Sequence, residues 1–220
     1  MIAKKTIEIV KKKAQSFFVG ASGCHDWTHV ERVKNLALKM GEKEGAQLDI
    51  LEVAAYLHDI GRKEEMKQKG LFCHAEHGAK EAEKILKKYR LDGKIIEKII
   101  HCILTHRYRN NHIPQTIEAK ILYDADKLDS IGAIGIARDF LFAGAAGSKT
   151  LYTGNEKKLA KGEKDYSYTK EDSAFLEYEL KLKHIKDKIL TKTGKKIAAN
   201  RHKYMKEYFL RFEKEVKAEL

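Results

Sequence analysis

Apolar residues recur along most of the chain at intervals of three and four, the spacing that lines one face of a helix. Ile2, Ile9, Val10, Ala14 and Phe17 predict a helix over residues 2–18, stopped by Gly20 and Gly23. Asp26 is a good N-cap for a second helix, running through Val30, Val33, Leu36, Ala37 and Met40 to about Gly45. A third, over about 49–60, is apolar on most faces (Ile50, Leu51, Val53, Ala54, Ala55, Tyr56, Leu57) and reads as a buried central helix ended by Gly61. Helices over 77–89 and about 93–105 follow, and then Asn110-Asn111 and the lone Pro114 mark a loop. Helical sequence resumes over 116–127 and 131–142 and is broken by the Gly/Ala-rich stretch 144–147. Residues 154–167 read as a loop with a helical turn, and two amphipathic helices, about 170–192 and 194–219, close the chain. No segment alternates strictly enough to be a strand, and there is no repeat or Pro/Ser-rich linker. The expectation is one all-α domain over 1–220, a helical bundle with a core at about 20–145 and C-terminal helices at about 168–219 packed on it.

Composition narrows the class. The chain has 220 residues, 43% hydrophobic and 35% charged, as in a soluble globular protein large enough to bury a core without staples. Lys and Arg number 44 against 32 Asp and Glu, a formal charge of +12 that favours an anionic partner without choosing its kind. Cys24, Cys73 and Cys102 form no CxxC pair, which points to a reducing compartment. No apolar run approaches the roughly 20 residues that span a bilayer. The first 18 residues lack the apolar stretch and cleavage site of a signal peptide. The expected location is the cytoplasm, with no membrane partner.

Three places carry chemistry. His58-Asp59 stands at the end of the buried helix in AAYLHDIG. A carboxylate there is costly unless a positive group meets it. A divalent metal would do so, and a hydrogen-bonded His-Asp pair is the competing explanation. In HDWTHVERV, His29 shares the inward face with Val33, Leu36, Ala37 and Met40, and Arg32, one turn on, could hold an anion. Asp26 fits a cap better than a ligand, and His25 is open between roles. In YDADKLD, Asp124, Asp126 and Asp129 stand among Ile121, Leu122 and Leu128. Such apolar neighbours weaken the ordinary reading of a solvated charged face. Mixed imidazole and carboxylate donors suit Mn, Fe, Zn, Ni or Co rather than Ca.

These motifs resemble the HD superfamily of metal-dependent phosphohydrolases, whose signature is H…HD…D. HDWTHVERV is similar to the family's first-helix motif, LHDIG to its second, and DADKLDSIGAIGIAR to its last. The likeness extends through the C-terminal stretch and is strongest to a bacterial and archaeal subgroup that includes nucleoside triphosphate pyrophosphohydrolases. It implies an all-α HD-type fold in which His29, His58, Asp59 and Asp126 ligate one divalent ion (Mn, Fe, Co, Ni, Zn or Mg). His74, four before Gly78, and His106 match the extra histidines of two-metal members and are candidates for a second ion. Arg32, Lys63, Arg107 and Lys127 are candidates for substrate phosphate, and Asp129 for a supporting acceptor or base. His77, His101 and His112 read as supporting or surface histidines, His184 as surface, and His202 has no assigned role. The chain departs from the family in two places. Arg62 stands where some mononuclear members carry an acid, so no general acid transfers. Ala174 and Glu179 stand where the tail usually has His and Lys.

The implied activity is hydrolysis of a nucleotide or related phosphorylated metabolite by a metal-activated water, extending to nucleoside or deoxynucleoside triphosphate pyrophosphohydrolysis. The competing class is a non-enzymatic basic helical module, either nucleic-acid binding or an HD-type sensor. The Lys residues are spread over almost every helix, and no recognition-helix or stacking-platform motif is present, so nucleic acid is not expected as the main partner. A phosphorylated small molecule is, and a homo-oligomer is left open.

Overall fold

The computed structural model describes residues 1–21, 25–68, 73–107, 112–145, 147–148, 150–162, 166 and 173–220. Cys24, the Asn110-Asn111 loop and the expected start of a helix near residue 170 lie outside the described residues. The chain forms two compact units. One comprises residues 1–126 and 190–194, the other 127–189 and 195–220. Among the described residues all regular structure is helical.

The first unit begins with α1 (Lys4–Gln15), which buries Ile7, Val10 and Ala14. A single 3-10 turn, Ser16–Phe18, continues it, so the expected helix tightens in its last residues. The next helix, α2 (Trp27–Glu44), starts at Asp26, whose carboxylate accepts the His29 backbone N–H at 3.1 Å and the Thr28 hydroxyl at 2.7 Å. Asp26 is therefore occupied as a cap. Gly45, at φ +73°, ends the helix in the left-handed conformation that glycine adopts at little cost. The buried face of α2 is His29, Val30, Val33, Ala37, Met40 and Gly41.

Against it lies α3 (Leu48–Leu57), buried without interruption from Val53 to Leu57. Gly41 permits the contact. A Cβ there would stand 2.8 Å from Leu48 Cδ2 and 2.9 Å from Leu51 Cδ2. The helix stops at Leu57 rather than near residue 60, so His58 and Asp59 occupy the turn that follows it. Next come α4 (Arg62–Lys67), α5 (His74–Lys88), α6 (Gly93–Thr105, capped by Asp92) and α7 (Ile117–Asp129). The apolar α3 packs against α1, α2, α5 and α6, which places the residues after its last turn at the centre of the unit.

Residues 190–194 are bound by acids of this unit. Buried Asp124 accepts the Leu190 N–H at 2.8 Å, and the Thr191 N–H and hydroxyl each at 2.7 Å. Glu44 accepts the Thr193 N–H at 2.6 Å.

The second unit contains α8 (Gly132–Ala145), the single turn α9 (Glu156–Leu159), α10 (Ala174–Leu180) and most of α11 (Lys192–Val216). Its core is aromatic. Tyr178 stacks on Phe209 with ring centroids 4.2 Å apart, and Phe175 meets Phe209 edge-on at 5.1 Å. The helix expected over 170–192 is broken. After Leu180 the chain runs as a 3-10 helix, Leu182–Lys188, and Ile189 is extended. The Leu190 and Thr191 amides are committed to Asp124, so they cannot serve a continuous α-helix.

Candidate metal centre

Four short segments of the first unit deliver imidazoles to one buried place. His29 comes from the first turn of α2, His58 and Asp59 from the turn after α3, His74 from the start of α5, and His106 from the end of α6. His29, His58, Asp59, His74 and His106 are each at most 5% exposed. Asp126 joins them from α7.

Asp59 lies between two groups. Its Oδ2 stands 3.7 Å from His29 Nε2, 3.8 Å from His58 Nε2 and 3.7 Å from His25 Nδ1. Its Oδ1 stands 3.0 Å from His74 Nε2 and 3.5 Å from His106 Nε2. On the Oδ2 side, Asp126 Oδ1 lies 3.5 Å from His29 Nε2. Donor atoms of His29, His58 and Asp126, of Asp59, His74 and His106, and of His25, His29 and Asp59 each lie within 4.8 Å of one another.

The ring tautomers make these groups fit a cation. His58 Nδ1 is 2.7 Å from the Ala55 carbonyl and His106 Nδ1 is 2.6 Å from the Ile103 carbonyl. A carbonyl only accepts, so each Nδ1 carries the proton and each Nε2 presents a lone pair. The His58 Nε2 lone pair faces His29 Nε2 at 3.4 Å, and that of His106 faces His74 Nε2 at 3.1 Å. Two imidazole lone pairs at such distances repel unless a proton or a cation lies between them. Burial pushes His58 below its ordinary value and His106 down to about 4, so both rings are neutral at physiological pH. For Asp59, burial acts upward, but the surrounding imidazoles of His58, His74, His106 and His25 outweigh it. Its carboxyl is held well below the usual range. Neutral imidazoles around an ionised carboxylate are the donor set that Mn, Fe, Co, Ni or Zn takes.

A glycine pair holds the two sides together. A Cβ on Gly61 would stand 2.4 Å from the His74 carbonyl oxygen and 2.9 Å from Gly78 N, and one on Gly78 would stand 3.3 Å from Gly61 N. The turn carrying Asp59 therefore lies directly on the first turn of α5.

The remaining candidates are spread wider. Arg32 donates to Thr28 Oγ1 at 3.0 Å, and Lys63 donates to the Val19 carbonyl at 2.6 Å. Arg107 donates to Glu65 at 2.7 Å. Lys127 and Asp129 belong to the second unit, where Asp129 accepts from Arg138 at 2.7 Å. His77 and His184 are exposed, His101 accepts the Gln115 N–H at 3.0 Å, and His112 lies 3.5 Å from Glu76. His202 is partly buried, with its pKa lowered by burial and then by Lys186. Ala174 is buried as the first residue of α10, and Glu179 pairs with Lys183 at 2.6 Å.

Sequence reasoning missed Glu65. Its carboxylate takes His74 Nδ1 at 2.7 Å and is clasped by Arg62 at 2.8 Å and Arg107 at 2.7 Å. In the word RKEEMK it has the look of any surface charge.

A chain folded this way, with histidines and aspartates gathered on the HD motif, belongs to the HD domain family, whose model matches residues 26–131. Bacillus subtilis YpgQ is 33% identical over 216 residues, covering 96% of this chain and 94% of YpgQ. The crystal structure of YpgQ in complex with ADP superimposes with a TM-score of 0.73, covering 96% of this chain and 95% of that one. An HD-superfamily hydrolase from Bacillus thuringiensis is 29% identical, with 98% of each chain covered and a TM-score of 0.73. A predicted HD superfamily hydrolase from an uncultured Thermotogales bacterium is 26% identical, with 96% and 92% covered and a TM-score of 0.64. The chain thus has an HD-superfamily hydrolase fold with a candidate metal-binding His/Asp cluster. Among its described residues no helix is long and apolar enough to cross a membrane.

Proposed function

We propose that this protein is a metal-dependent phosphohydrolase acting on a nucleotide or a related phosphorylated metabolite. The observation that carries the reading is the position of Asp59, whose two carboxylate oxygens each face imidazole Nε2 atoms. His29, His58, Asp59 and Asp126 would hold one divalent ion. Asp59, His74 and His106 would hold a second. Once bound, such an ion lowers the pKa of a coordinated water towards about 7 and polarises a phosphoryl oxygen. The residues supply the rest. The Ala55 and Ile103 carbonyls fix the His58 and His106 tautomers, burial keeps those two imidazoles neutral, and the imidazoles around Asp59 keep its carboxylate ionised.

The finer reading is a nucleoside or deoxynucleoside triphosphate pyrophosphohydrolase. It is supported by the DADKLDSIGAIGIAR word and by the ADP bound to the B. subtilis relative. The +12 charge fits an anionic substrate.

The test is a substrate panel (nucleoside mono-, di- and triphosphates, cyclic nucleotides and sugar phosphates) with Mn²⁺, Co²⁺, Ni²⁺ or Mg²⁺, with phosphate and pyrophosphate release measured separately. Pyrophosphate release from a triphosphate, lost in Asp59→Asn and in chelator, is expected. A metal-replete protein that cleaves nothing in the panel contradicts the proposal.

A further inference from the structure

Asp126 lies in the last turn of α7, where backbone carbonyls have no partner within their own helix. Two of these carbonyls are met from outside it. The Lys127 carbonyl accepts the Ser130 N–H at 3.1 Å and the Ser130 hydroxyl at 2.7 Å. The Leu128 carbonyl accepts the Ile131 N–H at 3.2 Å and, from α11, Arg201 Nη1 at 2.5 Å. A guanidinium at this end also meets the partial negative charge of the helix dipole.

The seat of Arg201 is shaped to receive it. Gly132 stands at φ +80°, and a Cβ there would lie 3.0 Å from Arg201 Cγ and 3.1 Å from its Cβ, so the aliphatic stem lies directly on the glycine. Arg201 is half-buried. Burial lowers its pKa, and the Asp129 carboxylate opposes that shift. Asp129 is itself buried and held by Arg138 at 2.7 Å. Desolvating a guanidinium costs free energy, which the Leu128 carbonyl and the Asp129 charge offset.

Earlier on the same helix, Asp124 binds the Leu190 and Thr191 amides, and Thr191 Oγ1 accepts the Gly194 N–H at 3.0 Å in the first turn of α11. Thus α11 starts from a point tied to Asp124 and later returns Arg201 to Leu128. Asp126 stands between these two ties.

We propose that Arg201 is a positioning residue for the candidate metal centre: by tying α11 to the last turn of α7, it fixes the backbone that carries Asp126, whose Oδ1 lies 3.5 Å from His29 Nε2. The role rests on the reading of Asp126 as a ligand, but it requires no proton to move and no contact with substrate.

Arg201→Met tests it by keeping the stem and removing the donors. In metal-free protein, hydrogen exchange read by mass spectrometry is expected to quicken in peptides spanning 124–131 and to stay native in those from α3 and α6. Mn²⁺ titration by calorimetry should then show about 10-fold weaker binding at the site that Asp126→Asn also weakens. Arg201→Lys, which restores the charge, should recover part of that affinity. Phe209→Leu, a core change in the same unit, is the stability control and should bind Mn²⁺ as the native chain does. Equal weakening in Phe209→Leu, native affinity in Arg201→Met, or unchanged exchange at the end of α7 overturns the proposal. Should Arg201→Met fail to fold, Arg201→Lys carries the test, with a smaller loss expected and native affinity overturning the role. If Asp126→Asn binds Mn²⁺ like the native chain, the ligand reading of Asp126 fails and the proposal with it. If Asp126→Asn is weakened and Arg201→Met is not, the proposal alone fails.

Discussion

At the scale of single residues, the site depends on histidines held neutral by burial. His25 and His106 are both pushed down to about 4 from 6.5, chiefly by desolvation. Between pH 6.5 and 4 the unfolded chain binds protons that the folded one refuses. The stability of the metal-free protein is therefore complete above about pH 6.5 and falls as pH drops through that window, by a few kcal/mol in total. Asp59, held low by its imidazole neighbours, acts in the same direction at lower pH. Chelator-treated protein melted at pH 7.5, 6, 5 and 4.5 should show a midpoint that declines steadily below pH 6.5. A flat profile would mean these rings are hydrated and ordinary. His29, His58 and Asp59 could be picked out in the sequence because each interrupts or ends an apolar helical stripe. Glu65 could not, because its partners His74 and Arg107 lie nine and 42 residues away and its own word is uniformly charged.

At the scale of elements, the helices that build the site are those whose apolar stripes are clearest. The buried run of α3 and the inward face of α2 are plain in the sequence, and the Asp26 cap with them. What the stripes do not reveal is how closely elements approach, since that depends on missing side chains. The contact of Gly61 with the first turn of α5 is such a case. Gly61→Ala would drive a methyl group against the His74 carbonyl, and the turn must move. The expected cost is about 1–3 kcal/mol. A weakened Mn²⁺ site at His74 should accompany it, checked by denaturant unfolding and calorimetry. A variant with native stability and native metal binding would contradict the account.

Asp124 is the other case. In the sequence it is one of three acids in a row of candidates, whereas the fold spends it on residues 190 and 191. That expenditure also keeps an α-helix from running through residues 190 and 191. Asp124→Ala leaves two backbone N–H groups without their acceptor and should cost roughly 3 kcal/mol or more, since hydrogen bonds to a charged group contribute about 1.5–3 kcal/mol each. Urea unfolding of the metal-free variant measures it, and a loss under 1 kcal/mol would show the amides are satisfied by water.

At the scale of the whole molecule, the family was legible because its ligand words keep their order along 220 residues, and the profile match and relatives agree with it. The division into two compact units was not, since no change of composition marks residue 126 and the chain returns to the first unit at 190–194. Net charge is silent about fold. The central claim is that His29, His58, Asp59 and Asp126, from three separate stretches of the sequence, share one cation. Anomalous diffraction from crystals grown with Mn²⁺ tests it most directly. The account predicts a peak within coordination distance of His29 Nε2, His58 Nε2, Asp59 Oδ2 and Asp126 Oδ1. Well-ordered side chains with no peak among them, or Mn²⁺ bound only elsewhere, would contradict it.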